Sequence, residues 1–199
     1  MTTVNIEPHQ PIFSEADAAD HVFTVTGGAV KIYKLLPDGR RQITGFLFPG
    51  DFLGLTHNAL YAYSAEAMTA TRLCRFPRKK LEALLDELPK LEQRLLGMAS
   101  HELAAAQDQM VLLGRKSARE RVVSFLLMLS GGAVRRGQPD NPVAVPMTRN
   151  DIADFLGLTV ETVSRTMTQL KTQHLIELMD EKQVRLSRIE ALREIAGGF

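Results

Sequence analysis

Between Lys90 and Leu113 the chain runs 24 residues with no proline and only Gly97 to interrupt it. Such a stretch predicts one helix of roughly 36 Å. A small barrel cannot cover an element that long. Leu91, Leu95, Met98, Glu102, Ala106, Gln109 and Leu113 recur along it in steps of three and four, a heptad-like seam that is apolar at both ends and polar in the middle. The simplest partner for the seam is the same helix of a second copy, so a homodimer is expected. Pro89 suits the first turn of this helix, where a missing N–H is harmless.

The segments on either side follow different periods. Residues 1–76 read as short strands with turns between them: HVFTVTGGAVKIYKL around Gly27-Gly28, then Pro37-Asp38-Gly39, RQITGFLF, Pro49-Gly50-Asp51 and AEAMTATRLCRF. In the first of the tight turns Pro fixes φ and Gly permits a positive one. This punctuation predicts a sandwich or barrel. After Pro77 the pattern becomes helical, beginning with RKKLEALLDEL. Gly114-Arg115-Lys116 breaks it. Ser117 and Glu120 then form a capping box. The box opens the apolar helix RVVSFLLMLS, expected to stop at Gly131-Gly132, and AVRRGQPDNP reads as a loop. The expected domains are a β-roll sensor-like domain at 1–76, connecting and dimerisation helices at 77–114, and a second domain at 115–199.

That second domain carries the informative chemistry. In MTRNDIADFLG, Thr148 is the expected N-cap, Asp151 suits the positive helix end, and Ile152, Ala153, Phe155 and Leu156 form an apolar side. Gly157 permits a tight turn, and Thr159 caps a second helix from about Val160 to Gln173. Two helices joined this way make a helix-turn-helix, whose second helix enters the major groove of DNA. Its stripe Val163, Met167 and Leu170 faces inward. Glu161, Ser164, Arg165 and Thr168 share the opposite face. Arg165 can donate twice to guanine, Glu161 can accept from an exocyclic amine, and Ser164 can reach a base edge. An acid facing DNA is costly beside phosphates, which makes Glu161 informative. Thr148, Arg149, Thr159, Thr162 and Thr168 are candidate phosphate contacts. LIELMDEKQVRLS reads as strand, turn and strand, the wing of a winged helix, and SRIEALREIA as a closing helix.

Formal net charge is only +1, so any nucleic-acid surface is local. Residues 115–199 carry 13 Lys and Arg against 10 Asp and Glu, while residues 1–114 carry 11 against 13. The sign of that asymmetry suits DNA binding by the second half. Arg115, Lys116, Arg119 and Arg121 fit a phosphate surface or a solvated, capped helix start equally well. Cys74 is the single cysteine, which excludes an internal disulfide and suits a cytoplasmic protein. The segment MTTVNIEPHQP lacks the basic and apolar regions of a signal peptide, and no apolar run is long enough to span a membrane. His9, His21, His57, His101 and His174 are scattered without metal-ligand spacing, so no metal site is expected. No nucleophile–base pair or phosphate loop is visible, and a cupin-like enzyme lacks its clustered His and Glu. No catalytic residue is assigned.

Taken together, TGGAVKIYK, PDGR, PGDFLG, RKSARERVVSFL and above all TRNDIADFLGLTVETVSRTMTQLKTQHLIEL resemble the CRP/FNR family of bacterial transcription regulators, over nearly the whole chain. The resemblance implies an α+β architecture. It comprises an N-terminal β-roll of the cyclic-nucleotide-binding, jelly-roll type, a long dimerisation helix and a C-terminal winged helix-turn-helix. It also implies a homodimer on double-stranded DNA with RNA polymerase as a partner. The pattern Glu161-x-x-Ser164-Arg165 resembles the FNR and FixK branch. It implies a palindrome close to TTGAT-N4-ATCAA in genes of anaerobic, microaerobic or nitrogen-oxide metabolism. Two features depart from other branches. Tyr63 stands about where the cyclic-nucleotide pocket has its phosphate-binding Arg, so cAMP is not an expected ligand. Cys74 resembles the internal cysteine of FNR, but one thiol cannot ligate an iron–sulfur cluster. A FixK-like regulator without a cluster and a shortened form of a longer sensor both fit, and haem ligation through His57 stays open. No cofactor is assigned.

Overall fold

The computed structural model describes residues 2–56, 58–179 and 182–197. His57, the suggested haem ligand, lies outside the described residues. The chain divides into two compact units, residues 1–108 and 109–199. The division falls inside the long helix, a few residues before the Gly114 break at which the sequence suggests a boundary.

The first unit is a β-roll of two antiparallel four-stranded sheets. One orders β1 (Thr2–Ile6), β8 (Thr71–Pro77), β3 (His21–Gly27) and β6 (Phe52–Leu53). The other orders β2 (Pro11–Phe13), β7 (Ser64–Ala67), β4 (Val30–Leu35) and β5 (Arg41–Leu47). Alternate residues point inward, as the two-residue period of a strand requires. Phe13, Phe23, Val25, Val30, Leu47, Leu53, Tyr61, Ala65 and Leu73 meet in one core. Cys74 is a buried, free thiol on β8. A register shift between Ile32 and Tyr33 marks the β4–β5 hairpin, where a bulge bends and twists the strands.

Helix α1 (Arg78–Glu87) follows, then α2 (Pro89–Arg115), with Pro89 in its first turn. Leu95 is buried by its own chain, and Leu91, Met98, Gln109 and Leu113 are half-buried. Of the predicted seam, only Leu95 is buried, while Glu102 and Ala106 in its middle are exposed. The most exposed apolar stripe lies one position over: Leu96 (67% exposed), Leu103 (61%) and Met110 (70%), with Ala99 exposed between them. Neighbouring residues sit about 100° apart on a helix, so α2 carries two apolar stripes. Spacing alone cannot say which one its own chain covers. Glu102 is exposed, yet desolvation and then the nearby Asp51 push its carboxyl above the usual range.

The second unit begins with the last turns of α2 and the capped helix α3 (Ala118–Arg135). The expected stop at Gly131-Gly132 does not occur. Both glycines stay helical, and Gly132 and Ala133 are buried, so packing offsets the roughly 1 kcal/mol cost of a helical glycine. The first three residues of the expected loop, 133–135, are helical, and just after that loop β9 (Val143–Ala144) pairs with β11 (Gln183–Leu186). β11 also pairs with β10 (Ile176–Met179), giving the wing sheet a third strand. Helices α4 (Arg149–Leu156), α5 (Val160–Thr172) and α6 (Ile189–Ile195) complete the unit. Phe125 of α3 and Phe155 of α4 lie 5.7 Å apart between ring centres at its centre. Among the described residues no helix is long and apolar enough to cross a membrane.

Candidate nucleic-acid interface

The turn between α4 and α5 is set by local chemistry. Thr148 and Asp151 cap α4 reciprocally: the Asp151 N–H donates to Thr148 Oγ1 (3.1 Å), and the Thr148 N–H donates back to Asp151 Oδ2 (3.1 Å). At the far end Gly157 is left-handed, φ 61°, and its N–H donates to the Ala153 carbonyl. Only glycine adopts that conformation without penalty, and it reverses the chain within three residues. Thr159 then caps α5 by accepting the Thr162 N–H at 3.2 Å.

Burial divides α5 along its length. Val163, Thr166, Met167 and Leu170 are buried. Glu161, Arg165 and Thr168 are exposed on the opposite side, with Ser164 half-buried among them. The three predicted base-reading residues therefore share one outward face near the start of the helix, the end that meets base edges in this motif. The Glu161 carboxyl is held below its usual range, first by its own backbone N–H and then by the Thr159 hydroxyl. It is thus an ionised acceptor at neutral pH.

The candidate phosphate contacts separate into two kinds. Some already serve the fold: the Thr148 hydroxyl donates to Asp151 Oδ2 (2.6 Å), and that of Thr168 donates to the Ser164 carbonyl (3.0 Å). Thr159 and Thr162 place their hydroxyl oxygens 3.1 Å apart at the start of α5. Arg149 is different. It opens α4, is half-buried, and lines a groove of about 220 Å³ with Lys182, Gln183 and Met179 at the base of the wing. Desolvation lowers the pKa of its guanidinium. An anion seated there would regain the charge stabilisation that burial removes. Spacing could not have found this groove, because it depends on how the wing strands pack beside Val145, Met147 and Arg149.

The β-roll interior bears on what the first unit can bind. Tyr63 comes from the segment between β6 and β7, and its hydroxyl oxygen accepts the Gly54 N–H at 2.9 Å. Phe13 stacks on Tyr61 with ring centres 3.8 Å apart and meets Tyr63 at 5.6 Å. The Tyr61 hydroxyl donates to the His21 carbonyl at 2.6 Å. Burial pushes both phenols above their ordinary pKa, so both stay protonated at neutral pH.

The Cyclic nucleotide-binding domain family matches residues 3–87, and the Crp-like helix-turn-helix domain family matches residues 120–195. The transcriptional activatory protein AadR of Rhodopseudomonas palustris is 44% identical, covering 89% of this chain and 74% of its own length. The chain belongs to the CRP/FNR family. The nitrogen fixation regulation protein FixK of Bradyrhizobium diazoefficiens is 43% identical over 88% of this chain and 74% of its own. Among solved structures, FixK2 from Bradyrhizobium japonicum superposes with a TM-score of 0.90 at 39% identity, covering 98% of this chain and 96% of that one. As a CRP/FNR-family protein of the FixK-like kind, the chain is a transcription regulator with a DNA-binding helix-turn-helix, not an enzyme.

Proposed function

We propose that this CRP/FNR-family regulator binds as a homodimer to a palindrome close to TTGAT-N4-ATCAA and activates genes used when oxygen is scarce or nitrogen oxides are present. The observation that carries the reading is the α5 face. It displays an ionised carboxylate, a hydroxyl and a guanidinium within five residues, at the end of the helix that enters the major groove. Arg149 in its groove is the best-supported phosphate contact. The exposed stripe Leu96, Leu103 and Met110 supports dimerisation, since one apolar ridge of this kind is covered by its own copy in a two-stranded packing. The similarity to AadR, an activatory protein, and to FixK, named for nitrogen fixation regulation, supports the target class and the sign of control. RNA polymerase is the expected partner and the cytoplasm the expected location.

The reading includes operation without a cyclic nucleotide. Tyr63, in place of the phosphate-binding Arg, offers no positive charge to a cyclic phosphate and bonds Gly54 instead, and one buried thiol, Cys74, supplies too few ligands for a cluster. The test is fluorescence anisotropy of the purified protein, with nothing added, on the palindrome and on a scrambled duplex across a salt series. Expected is specific binding at moderate salt, with lower affinity for the scrambled duplex at every salt. Equal affinity for both duplexes overturns the assignment of the site.

A further inference from the structure

Three cations crowd the junction between α2 and α3, and each reaches a group at the C-terminal end of another helix. Lys116 Nζ donates to Ser124 Oγ and to the carbonyl of Ala196, the residue ending α6, both at 2.8 Å. Arg119 donates to the side chain of Gln173, the residue ending α5, at 2.6 Å. Arg121 spans the most. Its guanidinium donates to the Leu113 carbonyl in the last turn of α2 (2.8 Å), the Lys116 carbonyl (2.9 Å) and the Leu156 carbonyl at the end of α4 (2.9 Å). The final carbonyls of a helix have no partner within it and carry its negative pole, so a cation there is favoured twice. A forked, rigid guanidinium is well suited to serving two helix ends at once.

A second tie runs beside it. Gln109 Nε2 of α2 donates to the Phe155 carbonyl at 2.8 Å. A Cβ on Gly157 would stand 3.4 Å from Leu113 Cδ2, so the turn between α4 and α5 lies against the last turns of α2.

We propose that Arg121 is a positioning residue for DNA reading: by bridging the carbonyl ends of α2 and α4 it fixes the bearing of the helix-turn-helix on the end of α2, and so fixes which half-site spacing a dimer accepts. The proposal rests on the dimeric palindrome reading above. Without the bridge the unit can swing about the α2–α3 junction. One base pair is only about 3.4 Å of duplex, so a small swing trades one spacing for the next. Base contacts within a half-site would be untouched, because no Arg121 bond involves Glu161, Ser164 or Arg165.

The test compares wild type with Arg121→Met, which keeps the stem and removes the donors, and Arg121→Lys, which keeps the charge but not the fork. Anisotropy is measured on the palindrome with N4, on N3 and N5 spacers, and on a duplex with one half-site scrambled. Expected for Arg121→Met is a loss of about tenfold on N4, a collapse of the N4 preference over N3 and N5, and at most twofold change on the single half-site, with Arg121→Lys between. Parallel loss on the full site and the half-site, or an unchanged spacer preference, overturns the proposal. Hydrogen exchange of the free proteins decides it independently of any DNA. Amides of residues 111–116 and of Leu158 are expected to lose protection together in Arg121→Met while those of α5 keep it. Unchanged protection there overturns the clamp even if the variant binds weakly. Wild-type indifference to palindrome over scrambled duplex would sink the DNA reading instead, leaving the exchange result to judge the clamp.

Discussion

In the proposed reading Glu161, Ser164 and Arg165 carry the chemistry of recognition, and the first and last have separable signatures. Arg165→Ala removes a two-pronged donor and should cost about 1–3 kcal/mol on the palindrome and much less on a scrambled duplex. Glu161→Ala should relax preference at its base pair by about tenfold while leaving the salt slope unchanged. Because the Glu161 carboxyl is held below its usual range, its accepting form is present at neutral pH and is lost only as pH falls through that lowered value. Competition titrations at pH 7 and pH 5 should therefore give the same base preference, and a loss of preference by pH 5 would count against the acceptor role. This face was legible in the sequence because helical spacing alone sorts Glu161, Ser164 and Arg165 from Val163 and Met167. The threonines were not sorted so easily. A hydroxyl has the same spacing whether it meets a phosphate or, as Thr168 does, the carbonyl four residues back.

Among the elements, α2 shows where periodicity stops informing. The run without proline correctly announced a long helix, and the seam read from its spacing is one of two adjacent apolar stripes. Burial separates them, and substitutions can confirm the separation. Leu103→Lys places a charge in the middle of the exposed stripe, at a residue 61% exposed, so the fold should survive while light scattering shows a shift from dimer to monomer. Leu95→Lys buries the charge in a position only 9% exposed, and the melting temperature should fall whatever the association state. Should Leu103→Lys leave the mass unchanged, the dimer ridge lies elsewhere. Element ends were harder to read than elements. Gly131 and Gly132 look like a stop in the sequence, and only the packing around Gly132 and Ala133 explains why the helix runs on to Arg135. The wing hairpin was visible from its alternation. Its third strand, β9, is two residues long, and a pair of residues has no period to detect.

At the scale of the molecule, a β-rich sensor-like half followed by a winged helix-turn-helix followed from the change of period and from motifs that resemble one family. The state of the sensor interior did not, because it depends on which side chains meet across two sheets. Tyr63 accepts the Gly54 N–H there, beside the Phe13–Tyr61 stack, and brings no positive charge for a cyclic phosphate. Millimolar cAMP should therefore leave the melting temperature where it is, whereas a rise of several degrees would reveal binding to the folded state. Under the proposed reading, a phenol that the chain itself supplies never dissociates, and the regulator has no unloaded form waiting for a messenger. Occupancy of its operators then follows the number of molecules in the cell. The timing of a response is set by how fast the protein is made, diluted and degraded, and its memory of low oxygen lasts as long as the polypeptide does.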